Sequence, residues 1–317
     1  MRAVQITSLD GPEAVSVTEV DAPDAAGRVL IDVRAAGVAF PEVLQSRGQY
    51  QLKPPLPFVP GAEVAGVVAE APEGSEFSPG DRVAALCLLG GFAEQVVTDE
   101  QFVFPLPEQV SFEQGASVIF NYGTAYFALV ERGRLAEGES VLVHGAAGGI
   151  GTASIQVAKA FGAGDVVAVV STAEKGDIAV AAGADSYVLA DGFRDHLAGK
   201  KFDLVVDPVG GDRFTDSLRS LAEDGRLLVI GFTAGSIPEV KVNRLLLGNI
   251  SVVGVGWGAY VLAKPGHVRG EWDAMLPHLA SGALAPVVSS VRPLEEVAEA
   301  LLEIDQRRAA GKVLLTP

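Results

Sequence analysis

The chain has 317 residues, 49% apolar and 20% charged, which is enough apolar material to fill the cores of two ordinary domains. Its net charge of −16, from 24 basic and 40 acidic residues, argues against nucleic acid or an anionic membrane surface as partner, since either needs a basic face. The single cysteine, Cys87, excludes an internal disulfide and a multi-thiolate metal site, and reads as a free buried thiol.

Met1 to Ile6 goes straight into a strand-like pattern, with no charged-then-apolar leader. No uncharged apolar run reaches the ~20 residues a bilayer span needs. A soluble, cytoplasmic protein is expected.

The first third reads as short β-prone runs at Glu13 to Val20, Arg28 to Ala35, Glu63 to Glu70, Asp81 to Leu86 and Phe92 to Val97. A short helix fits Pro41 to Arg47, and the prolines between Pro54 and Pro60 demand an extended loop. Together these predict a compact β-barrel-like domain. After about Glu113 strands alternate with helices. Helices are predicted at Asn121 to Glu131, Gly149 to Phe161, Glu174 to Ala182 and Asp212 to Ala222. Strands are predicted at Ser140 to His144, Asp165 to Val170, Ser186 to Leu189, Phe202 to Val206, Gly225 to Ile230 and Ile250 to Val255. Continuous Val/Leu/Ile strands between helices indicate a six-stranded, doubly wound parallel sheet. The tail adds a helix at Arg269 to Ser281, a strand at Pro286 to Val291, a helix at Leu294 to Gln306 and a strand at Lys312 to Leu315, and its closing strands could return to the first domain.

Between the buried strand Ser140 to His144 and the next helix lies Gly145-Ala146-Ala147-Gly148-Gly149-Ile150-Gly151. A glycine turn there lets backbone N–H groups approach a pyrophosphate, which the helix amino terminus stabilises. The strand before it, the helix after it and the further β/α units supply the context a dinucleotide site requires.

An NAD site usually carries Asp or Glu at the end of the second strand, to accept from the ribose 2′-hydroxyl. Here Ser171 and Thr172 stand in that place, and Lys175 follows on the first helical turn. Two hydroxyls and a cation suit the 2′-phosphate of NADPH. Glu174 could serve NAD if it turned inward; alternatively Ser171 merely caps the helix and Lys175 is solvated.

Several ordered segments carry a resemblance. They include Ala36-Gly37-Val38 with Phe40-Pro41-Glu42-Val43-Leu44, Arg47-Gly48-Gln49-Tyr50, Pro57 to Val68, Gly80-Asp81-Arg82-Val83, Gly91-Phe92-Ala93-Glu94, Gly123-Thr124-Ala125-Tyr126 and Asp207-Pro208-Val209-Gly210-Gly211. With the glycine turn, they make the chain resemble the zinc-free quinone oxidoreductase (zeta-crystallin-like) branch of the medium-chain dehydrogenase/reductases, over essentially its whole length. The resemblance implies an α/β Rossmann domain with a GroES-like β-barrel catalytic domain. The boundaries expected are 1–118 for the first part of the catalytic domain, 119–258 for the NADP-binding domain and 259–317 for a tail completing the catalytic domain. A homodimer is also implied.

Zinc-dependent relatives carry a metal ligand just after the Gly-Val and a Gly-His-Glu motif. This chain has Ala39 and Gly61-Ala62-Glu63, and its four histidines show no ligand-like pairing. No catalytic zinc is expected. Ala39 also departs from the branch's usual Asn at that point.

Without a metal, hydride addition to an already electrophilic acceptor, a quinone or another α,β-unsaturated carbonyl, is the expected chemistry. Tyr50 is the candidate to donate a hydrogen bond to the acceptor oxygen, with aromatic filling as its alternative. Glu42 could act as an acid, although capping or a salt bridge fits better, and Tyr126 reads as packing. Thr124 is similar to a family position near the cofactor, and Phe40 and Val209 are further cofactor-binding candidates. Gly231, Phe232, Thr233, Val255 and Trp257 follow later strands and should reach the nicotinamide end. Lys312 could approach the adenosine phosphate or be solvated. Two other activities use the same features: an enoyl-thioester reductase, or a catalytically idle NADPH-binding protein.

Overall fold

The computed structural model describes residues 1–264 and 266–317. The chain forms two compact units, one of residues 1–120, 266–280 and 288–317, the other of residues 121–264 and 281–287.

In chain order, the first unit begins with strands β1 (Arg2–Gln5) and β2 (Ser16–Glu19), an antiparallel pair. There follow β3 (Val29–Val38), helix α1 (Phe40–Ser46), β4 (Glu63–Glu70), β5 (Arg82–Leu86), β6 (Gln95–Thr98), β7 (Val103–Pro105) and a short helix α2 (Phe112–Gly115). Helix α3 (Ile119–Tyr126) leads into the second unit, with β8 (Ser140–His144), α4 (Gly149–Ala160), β9 (Asp165–Val170), α5 (Ala173–Ala181), β10 (Ser186–Leu189) and α6 (Phe193–His196). It continues through β11 (Phe202–Asp207), α7 (Phe214–Arg219), β12 (Leu221–Val229), α8 (Asn243–Gly248), β13 (Ser251–Gly254) and α9 (Trp257–Ala263). The tail holds α10 (His267–Ser281), β14 (Val288–Pro293), α11 (Val297–Asp305) and β15 (Lys312–Thr316).

The first unit is built on a seven-stranded sheet ordered β14-β15-β3-β4-β5-β7, with β6 also paired to β3. Both tail strands lie in this sheet, because β15 pairs antiparallel with β3, Val313 opposite Val38. β3 and β4 approach so closely that a Cβ on Gly66 would lie 2.1 Å from the Asp32 carbonyl oxygen, so only glycine fits there. Ile31, Val64, Val83, Phe92, Leu301 and Leu315 share one core and are essentially unexposed. Each such side chain contributes ~1.5–3 kcal/mol on burial.

The second unit is a six-stranded sheet ordered β10-β9-β8-β11-β12-β13, parallel throughout. In chain rank that is 3-2-1-4-5-6, the Rossmann order. β8, β9 and β11 are buried almost end to end, as strands covered on both faces must be.

Two predicted helices end early. The helix predicted to Ala222 stops at Arg219, and β12 begins at Leu221, paired with Phe202 before a register shift. Leu221 belongs to the sheet's own core, which overrides its helical spacing. The helix predicted to Glu131 changes at Phe127 into a π-helical segment to Arg132, closed by Gly133 N–H donating to the Ala128 carbonyl. Among the described residues no helix is long and apolar enough to cross a membrane.

Candidate functional site

The second unit's strands all run the same way, so the loops after β8, β9, β11, β12 and β13 emerge along one sheet edge. Those loops hold Gly145 to Gly151, Ser171 and Thr172, Val209, Gly231 to Thr233, and Val255 to Trp257. A crevice outside the carboxyl ends of such strands is where this topology takes ligands.

His144 closes β8. Its Nε2 lies 2.9 Å from Ser217 Oγ, and burial is the main cause that lowers its pKa to about 4, so the ring is neutral at pH 7. The chain then turns through Gly145 at φ +59°. Helix α4 opens at Gly148, an N-cap without a side-chain hydrogen bond. Its first-turn N–H groups therefore have no side-chain cap. The helix lies tight on the turn. A Cβ on Gly151 would come 2.2 Å from the Gly145 carbonyl oxygen and 2.5 Å from Ala146 Cα. One on Gly149 would come 2.4 Å from Nδ2 of Asn121, a residue absent from the sequence-based set. An uncapped helix start beside a glycine turn, open to backbone approach, fits the diphosphate of a dinucleotide.

At the end of β9, Thr172 rather than Ser171 is the cap of α5: its Oγ1 accepts from Lys175 N–H at 3.3 Å. Glu174 lies beside it. Hydrogen bonds from its own backbone N–H and from the Thr172 hydroxyl hold its carboxyl below the usual carboxylate range. Ser171 is exposed and Lys175 half-buried.

The loop after β11 is organised by Asp207, another residue the sequence reading did not single out. Its Oδ1 accepts from Val209 and Gly210 N–H at 2.9 and 2.8 Å. Thr233 returns to the same loop, its N–H and hydroxyl both 3.2 Å from the Pro208 carbonyl oxygen. Gly231 and Phe232 are half-buried, Val255, Trp257 and Thr124 buried.

In the first unit, Phe40 and Tyr50 are half-buried, on α1 and the loop after it. Burial, with the Glu42 charge as a lesser cause, raises the Tyr50 pKa, so the phenol is a donor. Glu42 is only 1% exposed. Its Oε2 accepts from Ala39 N–H at 2.9 Å, which caps α1. Burial is the main cause that pushes its carboxyl up to about 7.

Lys312 requires a correction. It is 3% exposed and ion-paired with Glu63, itself 1% exposed, so it is not solvated and its charge is already met. Cys87 is half-buried, and burial, helped by Glu63, raises its pKa and keeps it a thiol.

Residues 149–281 match the family described as zinc-binding dehydrogenase, and residues 25–108 the alcohol dehydrogenase GroES-like domain. The quinone oxidoreductase-like protein 2 of Rattus norvegicus is 40% identical over 295 residues, 91% of this chain and 84% of that protein. The chain belongs to the quinone oxidoreductase-like branch of the medium-chain dehydrogenase/reductase superfamily. A probable oxidoreductase from Mycobacterium abscessus is similar in structure at a TM-score of 0.90, with 43% identity covering 100% of this chain and 99% of that one. The quinone oxidoreductase of Thermus thermophilus, also solved in complex with NADPH, gives a TM-score of 0.87 and 35% identity over the full length of both chains. The fold shared with these oxidoreductases is a Rossmann domain with a GroES-like domain.

Proposed function

We propose that the chain is an NADPH-dependent oxidoreductase that reduces a quinone or another α,β-unsaturated carbonyl compound without a catalytic metal. The uncapped start of α4 on the Gly145 to Gly151 turn carries this reading, because it offers backbone donors and positive dipole where a dinucleotide's diphosphate must sit. Ser171 and Lys175 stand at the second strand's end, where the 2′-phosphate is met. Val209, Gly231, Phe232, Thr233, Val255 and Trp257 line the sheet edge toward the nicotinamide, with Thr124, and Phe40 contributes from the catalytic domain. Cofactor binding is assigned to residues 119–258, and the acceptor's surroundings to residues 1–118 and 259–317.

When bound, the nicotinamide supplies a hydride; with one proton from solvent, that completes reduction of a quinone to a hydroquinone or of an enone to a saturated ketone. The protein orients the acceptor and keeps water away. Tyr50 donates a hydrogen bond to the acceptor oxygen. At the two positions where zinc-dependent relatives hold the metal, Ala39 and Ala62 offer methyl groups, and the Ala39 N–H is already given to Glu42. Metal independence rests on that lack of donors.

A turnover screen in metal-free buffer with quinones, enones and enoyl-CoA thioesters tests the assignment. Quinones and enones should react, with NADPH preferred to NADH and chelators without effect. Turnover confined to enoyl thioesters, or dependent on added zinc, contradicts it.

We also infer a cytoplasmic homodimer. In the second unit Ile237, Val242, Leu246 and Leu247 are each more than 70% exposed, and β13 leaves one edge of the sheet unpaired. Residues 232–256 carry only Glu239, Lys241 and Arg244 as charges, so this face escapes the mutual repulsion of two copies at −16. Light scattering at micromolar concentration should give twice the chain mass, reduced to one chain by Leu247→Asp; a wild-type monomer contradicts the inference.

A further inference from the structure

Asn121 stands in the first turn of α3. It is 6% exposed, and among the described residues its side-chain amide makes no hydrogen bond. A buried amide without a partner lowers stability, so its presence points to a group that meets it in another state of the protein.

The amide is aimed at the start of α4. A Cβ on Gly149, the first residue of that 12-residue helix, would lie 2.4 Å from Asn121 Nδ2, 3.3 Å from Cγ and 3.6 Å from Oδ1. The NH2 group is therefore the part of the side chain nearest the helix. α4 presents its own first-turn N–H groups there, and no side chain caps them. Donors from α3 and α4 converge with no acceptor between them, an arrangement that repels itself and suits an anion. Gly148, Gly149 and Ile150 are half-buried and Gly145 is exposed, so the turn is open to solvent.

We propose that Asn121 is a cofactor ligand: its Nδ2 donates to the diphosphate of the bound dinucleotide, beside the α4 N–H groups and from a helix outside the glycine turn. The inference rests on the NADPH reading above. It also explains the glycine at 149, since a side chain there displaces the amide. The diphosphate is common to NADPH and NADH, so Asn121 strengthens both and does not choose between them.

Calorimetric titration and thermal melts of the wild-type protein, Asn121→Ala and Asn121→Asp are the test. The ligands are NADPH, NADH and 2′-phospho-ADP-ribose, which keeps the diphosphate and lacks the nicotinamide. Asn121→Ala should weaken all three by about tenfold or more, the loss of one hydrogen bond to a charged group. Asn121→Asp loses the donor and adds a like charge, so it should weaken them by roughly tenfold again. Without ligand, Asn121→Ala should melt at or above the wild-type temperature, because it removes an unpartnered buried amide. Only the rise in melting temperature that NADPH produces should shrink. Gly149→Ala should bind NADPH no better than Asn121→Ala does. The double variant should bind as Gly149→Ala does, because the amide is missing from the site in both.

Asn121→Ala that binds all three ligands like the wild type overturns the proposal. So does a loss confined to NADPH and NADH, which would put the amide on the nicotinamide, or additive losses in the double variant. A ligand-free melting temperature that falls in Asn121→Ala and rises in Asn121→Asp also overturns it, since the side chain would then be a cap of α4. Wild-type protein that binds NADH and neither 2′-phosphorylated ligand sinks the NADPH reading, while the NADH titrations still decide the role of Asn121; binding of none of the three sinks both.

Discussion

Lys312 on β15 and Glu63 on β4 form an ion pair closed to water, with 3% and 1% of their side chains exposed. Glu63 also accepts from Phe120 N–H at 2.9 Å, so the carboxylate ties three parts of the chain together. Removing one partner strands the other charge in the core. Lys312→Met should cost ~3–5 kcal/mol in urea denaturation. The double replacement of Lys312 by Met and Glu63 by Leu should recover most of that, since a buried pair is often matched by apolar groups of similar size. A single replacement no more costly than the double would show the pair to be exposed in solution.

Glu42 makes stability depend on pH. Its folded pKa, about 7, lies above the model-peptide value of 4.5, chiefly through burial. The fold therefore holds the protonated form, and that stabilising contribution is complete below the unfolded pKa and lost as pH rises through about 7. Glu42→Gln keeps an oxygen for the Ala39 N–H and cannot ionise. It should match the wild type at pH 5 and exceed it by ~1–3 kcal/mol at pH 8. Melting curves at the two pH values check this; a constant difference between the proteins would place the titration elsewhere.

The glycine turn gives a contrast between two positions. A Cβ on Gly151 meets the backbone of the turn at Gly145 and Ala146, at 2.2 and 2.5 Å, whereas one on Gly148 meets only the Gly145 carbonyl oxygen at 3.3 Å. Gly151→Ala should force α4 off the turn, lowering stability by ~1–3 kcal/mol and weakening NADPH at least tenfold. Gly148→Ala should remain near wild-type stability. Equal melting temperatures for the two variants would refute the close packing.

The parts of this molecule readable in its sequence are those where one local pattern suffices. β8 and the start of α4 are legible because a buried apolar run, a glycine turn and a helix stand in immediate succession. The Glu63–Lys312 pair is not, because its members are 249 positions apart and a charged side chain is by default solvated. Asp207 escaped for a related reason: its task, holding Val209 and Gly210, is a turn geometry that an Asp-Pro-Val-Gly run does not by itself reveal. The helices α8 and α9 carry no clean apolar stripe, and α8 leaves Leu246 and Leu247 76% and 81% exposed. At Leu221 the local signal was present and was overruled by the sheet.

Lys175 is the cation of the 2′-phosphate site in the proposed function. Lys175→Ala should weaken NADPH by ~1.5–3 kcal/mol, the scale of a charge-assisted hydrogen bond, and leave NADH nearly unchanged. Titration with both cofactors reads the difference, and equal losses would move the phosphate away from α5.

The destination of the hydride tests the proposed function most directly. NADPH carrying deuterium at the transferable position of its nicotinamide, incubated with chelator-treated enzyme and an enone, should yield a saturated ketone labelled at the β-carbon. Tyr50→Phe should slow that reaction more than the reduction of a reactive quinone, because the enone depends more on a donor at its carbonyl. Label at a carbonyl carbon, from turnover of saturated aldehydes while enones and quinones stay inert, would contradict the account.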